Sequence, residues 1–226
     1  MVSPTFPFDV ILFDVGGVLL TNGWDTNERR LAIERFQLDA LGFEARHHAN
    51  YPAWERGAIT AQAYLDATVF NQPRSFSHDE FFAFILAQPK ILPDSGLGTL
   101  QELAASNKCM LGAFNNEARE TNKYRFETFE LFRYFKVALS SCYLGVRKPD
   151  AAIYQAALDI LGRPSERILF IDDRIENVNG ALNAGMKAIQ FVGEKKLRSD
   201  LATLGVLQST TNHQSFPETH RLIAEG

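Results

Sequence analysis

Short apolar runs separated by amphipathic stretches dominate the second half of the chain. Apolar runs of strand length occur at 9–15, 109–114, 136–139, 168–171 and 188–192. Between the later runs, helical periodicity covers 95–107, 117–131, 150–161 and 175–184, and Gly162 and Gly185 stand where helix C-caps are expected. Strands that alternate with helices in this rhythm predict a parallel sheet wrapped by helices.

The stretch between the first and second runs is too long for a single crossover. Residues 25–88 show helical periodicity and no clear strand, and we predict helices at 26–41, around 47–56, at 60–70 and at 78–87. Thr60 and Ser77 are expected to cap the last two helices. The rings of Phe81, Phe82 and Phe84 could line a substrate pocket, but we interpret them as packing within this helical insert.

These patterns predict an α/β fold with a Rossmann-like parallel sheet core and an inserted helical-bundle cap. We assign 1–21 and 95–208 to the Rossmann-like core, 22–94 to the cap and 209–226 to a polar C-terminal tail. The tail is expected to fray or to dock as a short helix near 217–224. Ligands in such sheets bind beyond the carboxyl ends of the strands, where the strand order reverses.

Composition narrows the class of protein. The 226 residues are 46% hydrophobic and carry a net charge of -4, which is typical of a soluble globular protein and argues against a nucleic-acid partner. No apolar run reaches membrane-helix length, and residues 1–9 lack the pattern of a signal peptide, so no membrane partner and a cytoplasmic location are expected. Cys109 and Cys142 are interpreted as buried thiols, and the five histidines as surface or cap residues, one of which could contact a substrate. The oligomeric state cannot be read from these features.

Acidic residues follow two of the predicted strands. Asp14 ends the first strand and precedes Gly16, and Asp172 and Asp173 follow the run at 168–171. Three carboxylates at one sheet edge repel each other unless a cation neutralises them. Mg²⁺ accepts one or two carboxylates together with water and phosphate oxygens, so we predict a Mg²⁺ site here.

Two further elements are expected at the same edge. Lys148 lies in a loop before a helix, where its ammonium could neutralise a phosphate and keep Asp14 anionic. Asn115 and Asn116 end the second strand, where their amides could hold anionic oxygens. Each of these elements is weak evidence by itself, because polar residues are common after strands.

Together the four elements resemble the motifs of the haloacid dehalogenase superfamily. The segments 13–19, 115–116, 148–149 and 171–177 are similar to its four motifs in order and spacing, and 54–59 resembles a recurrent cap segment of its helical-cap subfamily. The segment 145–154 looks closest to the branch of sugar-1-phosphate phosphatases and of the N-terminal phosphatase domain of epoxide hydrolases. The resemblance implies a Mg²⁺-dependent hydrolase of a small phosphorylated metabolite, a phosphoric monoester hydrolase.

The resemblance also implies roles for the individual residues. Asp14 would attack phosphorus and form an aspartyl-phosphate that water then hydrolyses. Lys148, Asn115 and Asn116 would hold phosphate oxygens, and Lys148 counts with Asp14 as catalytic. The implied metal ligands are Asp14, the Gly16 carbonyl, Asp173 and Asp172, with Asp172 and Asn177 supporting the metal shell.

Two departures from the family pattern keep alternatives open. Most family phosphatases carry an acid–base aspartate where this chain has Gly16, and Asn115 replaces a serine or threonine. A metal-independent 2-haloacid dehalogenase would use the same Asp14 nucleophile without an acid at 16, although such enzymes lack the acidic pair at 172 and 173. A non-catalytic binding protein on a degenerate scaffold is the third interpretation. The source of acid–base help, the rate and the substrate stay open.

Overall fold

Five parallel strands form the centre of the computed structural model, which describes residues 6–208. The strands are β1 (Val10–Phe13), β2 (Met110–Ala113), β3 (Val137–Ala138), β4 (Ile168–Asp172) and β5 (Lys187–Gln190). Their order is β3-β2-β1-β4-β5, so the chain builds outward on one side of β1 and then on the other. The predicted parallel sheet is confirmed, and the strand order reverses beside β1.

Helices surround this sheet. The described residues form α1 (Thr26–Phe36), α2 (Ala40–Glu55), α3 (Ala61–Thr68), α4 (His78–Leu86), α5 (Leu97–Ser106), α6 (Arg119–Thr128), α7 (Ser141–Leu144), α8 (Ala151–Leu161), α9 (Ile175–Asn183) and α10 (Glu194–Thr203). Helices α5, α6 and α10 contribute to the apolar cluster on one face of the sheet, and α8 and α9 to the cluster on the other. Within β1, Ile11 and Phe13 join the first cluster whereas Val10 and Leu12 join the second, as the two-residue period of a strand requires.

Helices α1–α4, here called the cap helices, follow β1 and form an apolar cluster of their own. Phe81 is fully buried, and its ring centroid lies 4.7 Å from that of Phe36 and 6.0 Å from that of Trp24. Phe82 and Phe84 pack at the edge of the same cluster. The interpretation of these three rings as packing residues is therefore confirmed, while the exact division of the chain into core and cap stays a prediction.

Some predicted helices differ from the observed ones. The single helix predicted at 26–41 is wrong, because Gln37 adopts a left-handed conformation with φ of 50° and closes α1 by donating its backbone N–H to Ile33. The Asp39 side chain then accepts from the backbone of Gly42 and begins α2, which starts earlier than the helix predicted around 47–56. The helices α7 and α10 were not predicted. The helix considered at 217–224 lies outside the described residues.

Two further observations concern the described residues. No helix within 6–208 combines the length and the apolar character that spanning a bilayer requires. Both cysteines are free thiols: Cys142 is buried as expected, whereas Cys109 is partly exposed.

Candidate functional site

The register of the sheet brings the predicted site residues to one edge. Phe13 of β1 pairs with Ala113 of β2 and with Ile171 of β4, so the residues that follow these positions emerge together. The backbone N–H of Asp14 donates to the Ile171 carbonyl at 2.8 Å, which fixes the chain where it leaves β1. Parallel pairing alone therefore places Asp14 beside the acidic pair that ends β4.

The three carboxylates lie close together. Oxygens of Asp14, Asp172 and Asp173 all lie within 4.8 Å of one another. Asp14 is 8% exposed and Asp172 is fully buried. Burial raises the pKa of Asp14 well above its ordinary value, the nearby Lys148 opposes this, and repulsion from Asp172 and Asp173 adds to it. Burial and Asp172 likewise raise the pKa of Asp173.

The ammonium of Lys148 lies between two of these carboxylates. Its Nζ is 2.6 Å from Oδ2 of Asp172 and 3.3 Å from Oδ2 of Asp14, and it donates to the Phe114 carbonyl at 2.7 Å. It also lies 4.9 Å from the ring centroid of Phe170, and the side chain is completely buried. These buried contacts therefore fix the position of the Lys148 ammonium, unlike that of a lysine on the surface.

Several protein donors hold the carboxylate of Asp172. Besides the Lys148 contact, its Oδ1 accepts from the backbone of Arg174 at 2.8 Å, and Nδ2 of Asn177 lies 3.0 Å from Oδ1 and 3.1 Å from Oδ2. Both of its oxygens are thus engaged by protein donors. Asp172 orients Lys148 and the start of α9, while Asp14 and Asp173 keep oxygens that a cation could bind.

Two glycines shape the backbone beside the carboxylates. Gly17 has a φ of +74°, and a Cβ there would lie 2.3 Å from Oδ2 of Asp173. A Cβ at Gly16 would lie 2.6 Å from Oδ1 of Asn22 and 3.7 Å from Nη2 of Arg125. The space that an acid at position 16 would enter is therefore bordered by Asn22 and Arg125.

The predicted amide pair is engaged in holding neighbouring elements. Asn115 is buried, donates from Nδ2 to Asn122 at 2.9 Å and accepts the Ser140 hydroxyl at 2.8 Å. Asn116 pairs with the backbone of Lys148 in both directions, at 2.8 and 2.9 Å. The Asn116 contacts position the loop that carries Lys148, whereas the Asn115 contacts connect the end of β2 to α6 and to the start of α7. The phosphate-binding role assigned to the two asparagines stays a prediction.

The donor set fits a hard divalent cation. The three clustered carboxylates, two of them with raised pKa values, form a negative site that Lys148 and the nearby Arg174 only partly neutralise. Oxygen ligands of this kind suit Mg²⁺, which keeps several waters and needs few protein ligands. The predicted metal site is consistent with the geometry of the described residues.

A cleft of about 510 Å³ opens above Asp14 between the sheet edge and the cap helices. Its walls include Trp24, Arg29, His47 and Tyr51 from the insert, none of which the sequence analysis singled out as a site residue. The sequence indicates these residues only by their position, because Trp24 and Arg29 follow the first strand closely. The cleft thus combines aromatic, cationic and acidic side chains, a lining that suits a small polar ligand.

A buried ion pair forms another part of the wall. Arg125 donates from Nη1 to Oε2 of Glu117 in a very short contact, and from Nη2 to the Thr21 carbonyl at 2.8 Å. The Thr121 hydroxyl donates to Oε1 of Glu117 at 2.7 Å. Thr121 and Arg125 lie four residues apart on α6, and Glu117 lies four residues before Thr121, just ahead of the helix. This regular spacing of polar residues is the sequence signal that could have indicated the pair.

A second ion pair joins the insert to the core. Arg147, which precedes Lys148, donates to Oε2 of Glu55 at 2.7 Å, and both residues line the cleft. Burial raises the pKa of Glu55, and the bond from Arg147 opposes this. The segment 54–59 thus lies against the loop that carries Lys148.

Comparisons with known proteins agree with this geometry. A phosphoglycolate phosphatase of Aquifex aeolicus is 26% identical over 195 residues, which cover 85% of this chain and 89% of that protein. A drimenol cyclase of Aspergillus calidoustus is 24% identical over 197 residues, and the chain spans only 36% of its length. A HAD family enzyme of Bacteroides thetaiotaomicron, solved with magnesium and inorganic phosphate, shares the fold with a TM-score of 0.65 and 22% identity, covering 81% of this chain and 93% of that one.

The family assignment rests on the sequence profile together with the sheet. The profile of haloacid dehalogenase-like hydrolases matches residues 8–185, which include β1, the cap helices and the acidic end of β4. The matched segment contains β1, β2, β3 and β4 of the parallel sheet and the three clustered aspartates at its edge. The chain therefore belongs to the haloacid dehalogenase-like hydrolase family.

Proposed function

We propose that this protein hydrolyses a phosphate monoester of a small metabolite with the help of Mg²⁺, through an aspartyl-phosphate on Asp14. One observation carries the proposal: the carboxylates of Asp14, Asp172 and Asp173 lie within 4.8 Å of one another around a single buried ammonium. Hydrolysis of a carbon–halogen bond needs no such acidic cluster. In phosphoryl transfer, by contrast, such carboxylates would hold the cation, and one of them would attack the phosphoryl group.

The chemistry begins at Asp14. One of its carboxylate oxygens attacks phosphorus, a new P–O bond forms, and the bond to the leaving oxygen breaks. Water then attacks the same phosphorus and releases inorganic phosphate and the free carboxylate. Lys148 favours the anionic form of Asp14 before the attack and again after hydrolysis, because its Nζ lies 3.3 Å from Oδ2 of that residue.

The proposed metal ligands are Asp14, the carbonyl of Gly16 and Asp173, with Asp172 and Asn177 orienting the groups around them. Bound Mg²⁺ would neutralise the charge that develops on the phosphoryl oxygens. Asn115 and Asn116 are proposed to hold phosphate oxygens, and the bonds of Asn116 to the backbone of Lys148 also support a role in positioning the loop that carries that lysine.

The leaving oxygen lacks a proton donor at residue 16, where the chain has glycine. General acid–base help contributes roughly 100- to 10,000-fold, so the reaction favours substrates whose leaving group needs little protonation. Exclusion of water by the cap helices adds to the electrostatic stabilisation in the cleft.

The relatives support this proposal. The similar Aquifex aeolicus protein is named a phosphoglycolate phosphatase, and the Bacteroides thetaiotaomicron enzyme was solved with magnesium and inorganic phosphate. A small phosphorylated molecule is therefore the proposed substrate class, and its identity depends on the residues that line the cleft.

The decisive assay measures phosphate release from p-nitrophenyl phosphate and acetyl phosphate with Mg²⁺ and after chelation, for the wild type and Asp14→Asn. We expect release that needs Mg²⁺ and disappears in Asp14→Asn. Asp159→Asn, on the surface of α8, is the matched control and retains activity. Halide release from 2-haloacids without metal would replace the proposal with a dehalogenase, and no release in either assay would favour a binding protein.

A further inference from the structure

A chain of hydrogen bonds in the cap helices ends at the cleft. Nε1 of Trp24 donates to the hydroxyl of Tyr64 at 2.8 Å, and that hydroxyl lies 2.8 Å from Nδ1 of His47. All three side chains are buried, and His47 and Trp24 line the cleft. The proposed phosphatase mechanism gives these residues no role.

The protons in this chain can be assigned. The indole Nε1 of Trp24 can only donate, so the Tyr64 oxygen accepts there. Among residues 6–208 the Tyr64 hydroxyl has no other hydrogen-bond acceptor than His47, so its own proton is assigned to that bond. Nδ1 of His47 is then the acceptor, and the ring proton sits on Nε2. Nε2 makes no hydrogen bond with any of residues 6–208, and the atom is not completely buried.

The surroundings keep this imidazole neutral. Burial lowers the pKa of His47 to about 3, with Arg29 and His48 adding to the effect and Asp25 opposing it. The His47 ring also packs on Tyr51, with a centroid separation of 4.7 Å. The ring is therefore oriented from two sides, by a hydrogen bond and by an aromatic contact.

We propose that His47 is a specificity-determining residue whose Nε2–H donates to an oxygen of the leaving group, so that the cleft selects hydroxylated phosphate monoesters over alkyl ones. Tyr64 is the positioning residue that sets the tautomer. A neutral N–H donor forms hydrogen bonds with hydroxyl or carbonyl oxygens. Beside an alkyl group the same N–H loses its water and gains no partner, which disfavours the alkyl ester. This inference rests on the proposed phosphatase activity.

The test compares matched esters that differ only in hydroxyl groups. The values of kcat/KM are measured for glycerol 3-phosphate against propyl phosphate, and for ribitol 5-phosphate against pentyl phosphate, in the wild type, His47→Leu and His47→Gln. We expect the wild type to prefer the hydroxylated ester in at least one pair. His47→Leu reduces that preference about tenfold. His47→Gln retains most of it, because its amide can accept from Tyr64 and still donate toward the cleft.

His78→Gln is the matched control, because His78 lies on α4 outside the cleft and pairs with Asp66. It leaves the preference unchanged. An unchanged preference in His47→Leu would overturn the inference and leave the proposed function intact. Absence of hydrolysis of all four esters by the wild type would instead contradict the proposed function, and the inference with it.

The tautomer gives a second readout that does not depend on turnover. Nitrogen NMR of the wild type should show His47 as the neutral Nε2–H form at neutral pH. Tyr64→Phe removes the donor to Nδ1 and should lower the fraction of His47 in the Nε2–H form. A charged imidazolium, or a proton on Nδ1 in the wild type, would contradict the proposed hydrogen-bond direction.

Discussion

The ammonium of Lys148 lies 2.6 Å from Oδ2 of Asp172, and both side chains are completely buried. A buried ion pair is stabilising only when each partner is compensated, and removal of one partner leaves a charge that water cannot reach. Here the negative side is in excess, because Asp14 and Asp173 share the same edge of the sheet. The balance of charge at this edge therefore links stability to metal binding.

Replacement of Lys148 by methionine should lower the free energy of unfolding by about 3–5 kcal/mol in the absence of metal. The remaining carboxylates would then repel one another without compensation, so Mg²⁺ should raise the melting temperature of Lys148→Met more than that of the wild type. Thermal unfolding with and without Mg²⁺ measures both effects. Lys196→Met, which breaks the exposed pair with Asp200, is the control and should change stability by less than about 1 kcal/mol.

The Arg125–Glu117 pair in the cleft wall gives a second prediction. Its side chains are 3% and 7% exposed, so Glu117→Ala leaves a buried guanidinium without its main partner. We expect destabilisation of about 3–5 kcal/mol, measured by urea unfolding. The exposed pair of Arg133 and Glu130 is the comparison, and Glu130→Ala should cost less than about 1 kcal/mol. Equal losses for the two variants would contradict the assignment of a structural role to the buried pair.

The missing acid at Gly16 can be tested by restoring it. An Asp side chain there would meet Oδ1 of Asn22, 2.6 Å from the Cβ position, so the double variant Gly16→Asp/Asn22→Ala provides the space. We expect kcat for propyl phosphate to rise by up to about 100-fold, because its leaving group needs protonation. The gain for p-nitrophenyl phosphate should be smaller, since its leaving group departs as an anion.

The single variant Asn22→Ala measures what the loss of Asn22 does by itself. An equal effect of the double variant on both esters would mean that proton transfer at residue 16 does not limit the reaction.

The buried, neutral His47 should also shape the pH dependence of stability. Its pKa in the folded protein is about 3 and its ordinary value is 6.5, so the unfolded chain takes up a proton that the folded protein does not. The free energy of unfolding therefore falls as the pH falls from 6.5 toward 3. Between neutral pH and about pH 5, the wild type should lose about 2 kcal/mol more than His47→Gln. Equal losses of unfolding free energy with falling pH in the two proteins would contradict a neutral His47.

The strands and the four motifs could be predicted because local pattern decides them. The runs around β1 and β4 are apolar on both faces, and each ends in an aspartate at the same sheet edge. Parallel pairing then brings Asp14 next to Asp172 and Asp173, whichever helices intervene. The burial of Lys148, by contrast, depends on Phe114 and on the packing of its loop, which no local pattern contains.

The cap helices were harder to predict for the same reason. The break at Gln37 is set by one left-handed residue that the helical periodicity hides. The roles of His47 and Arg125 depend on contacts with Tyr64 and Glu117 that only the folded chain brings about. Residues that line the cleft from the insert are determined by tertiary packing, so a single sequence could not single them out.

The central claim is that Asp14 carries a phosphoryl group during turnover. Acid quenching during hydrolysis of acetyl phosphate, followed by mass spectrometry of the peptide that contains Asp14, tests it most directly. We expect a mass increase of one phosphoryl group on Asp14 that requires Mg²⁺ and is absent from Asp14→Asn. Mg²⁺-dependent phosphate release with Asp14 unmodified, or full release by Asp14→Asn, would contradict it.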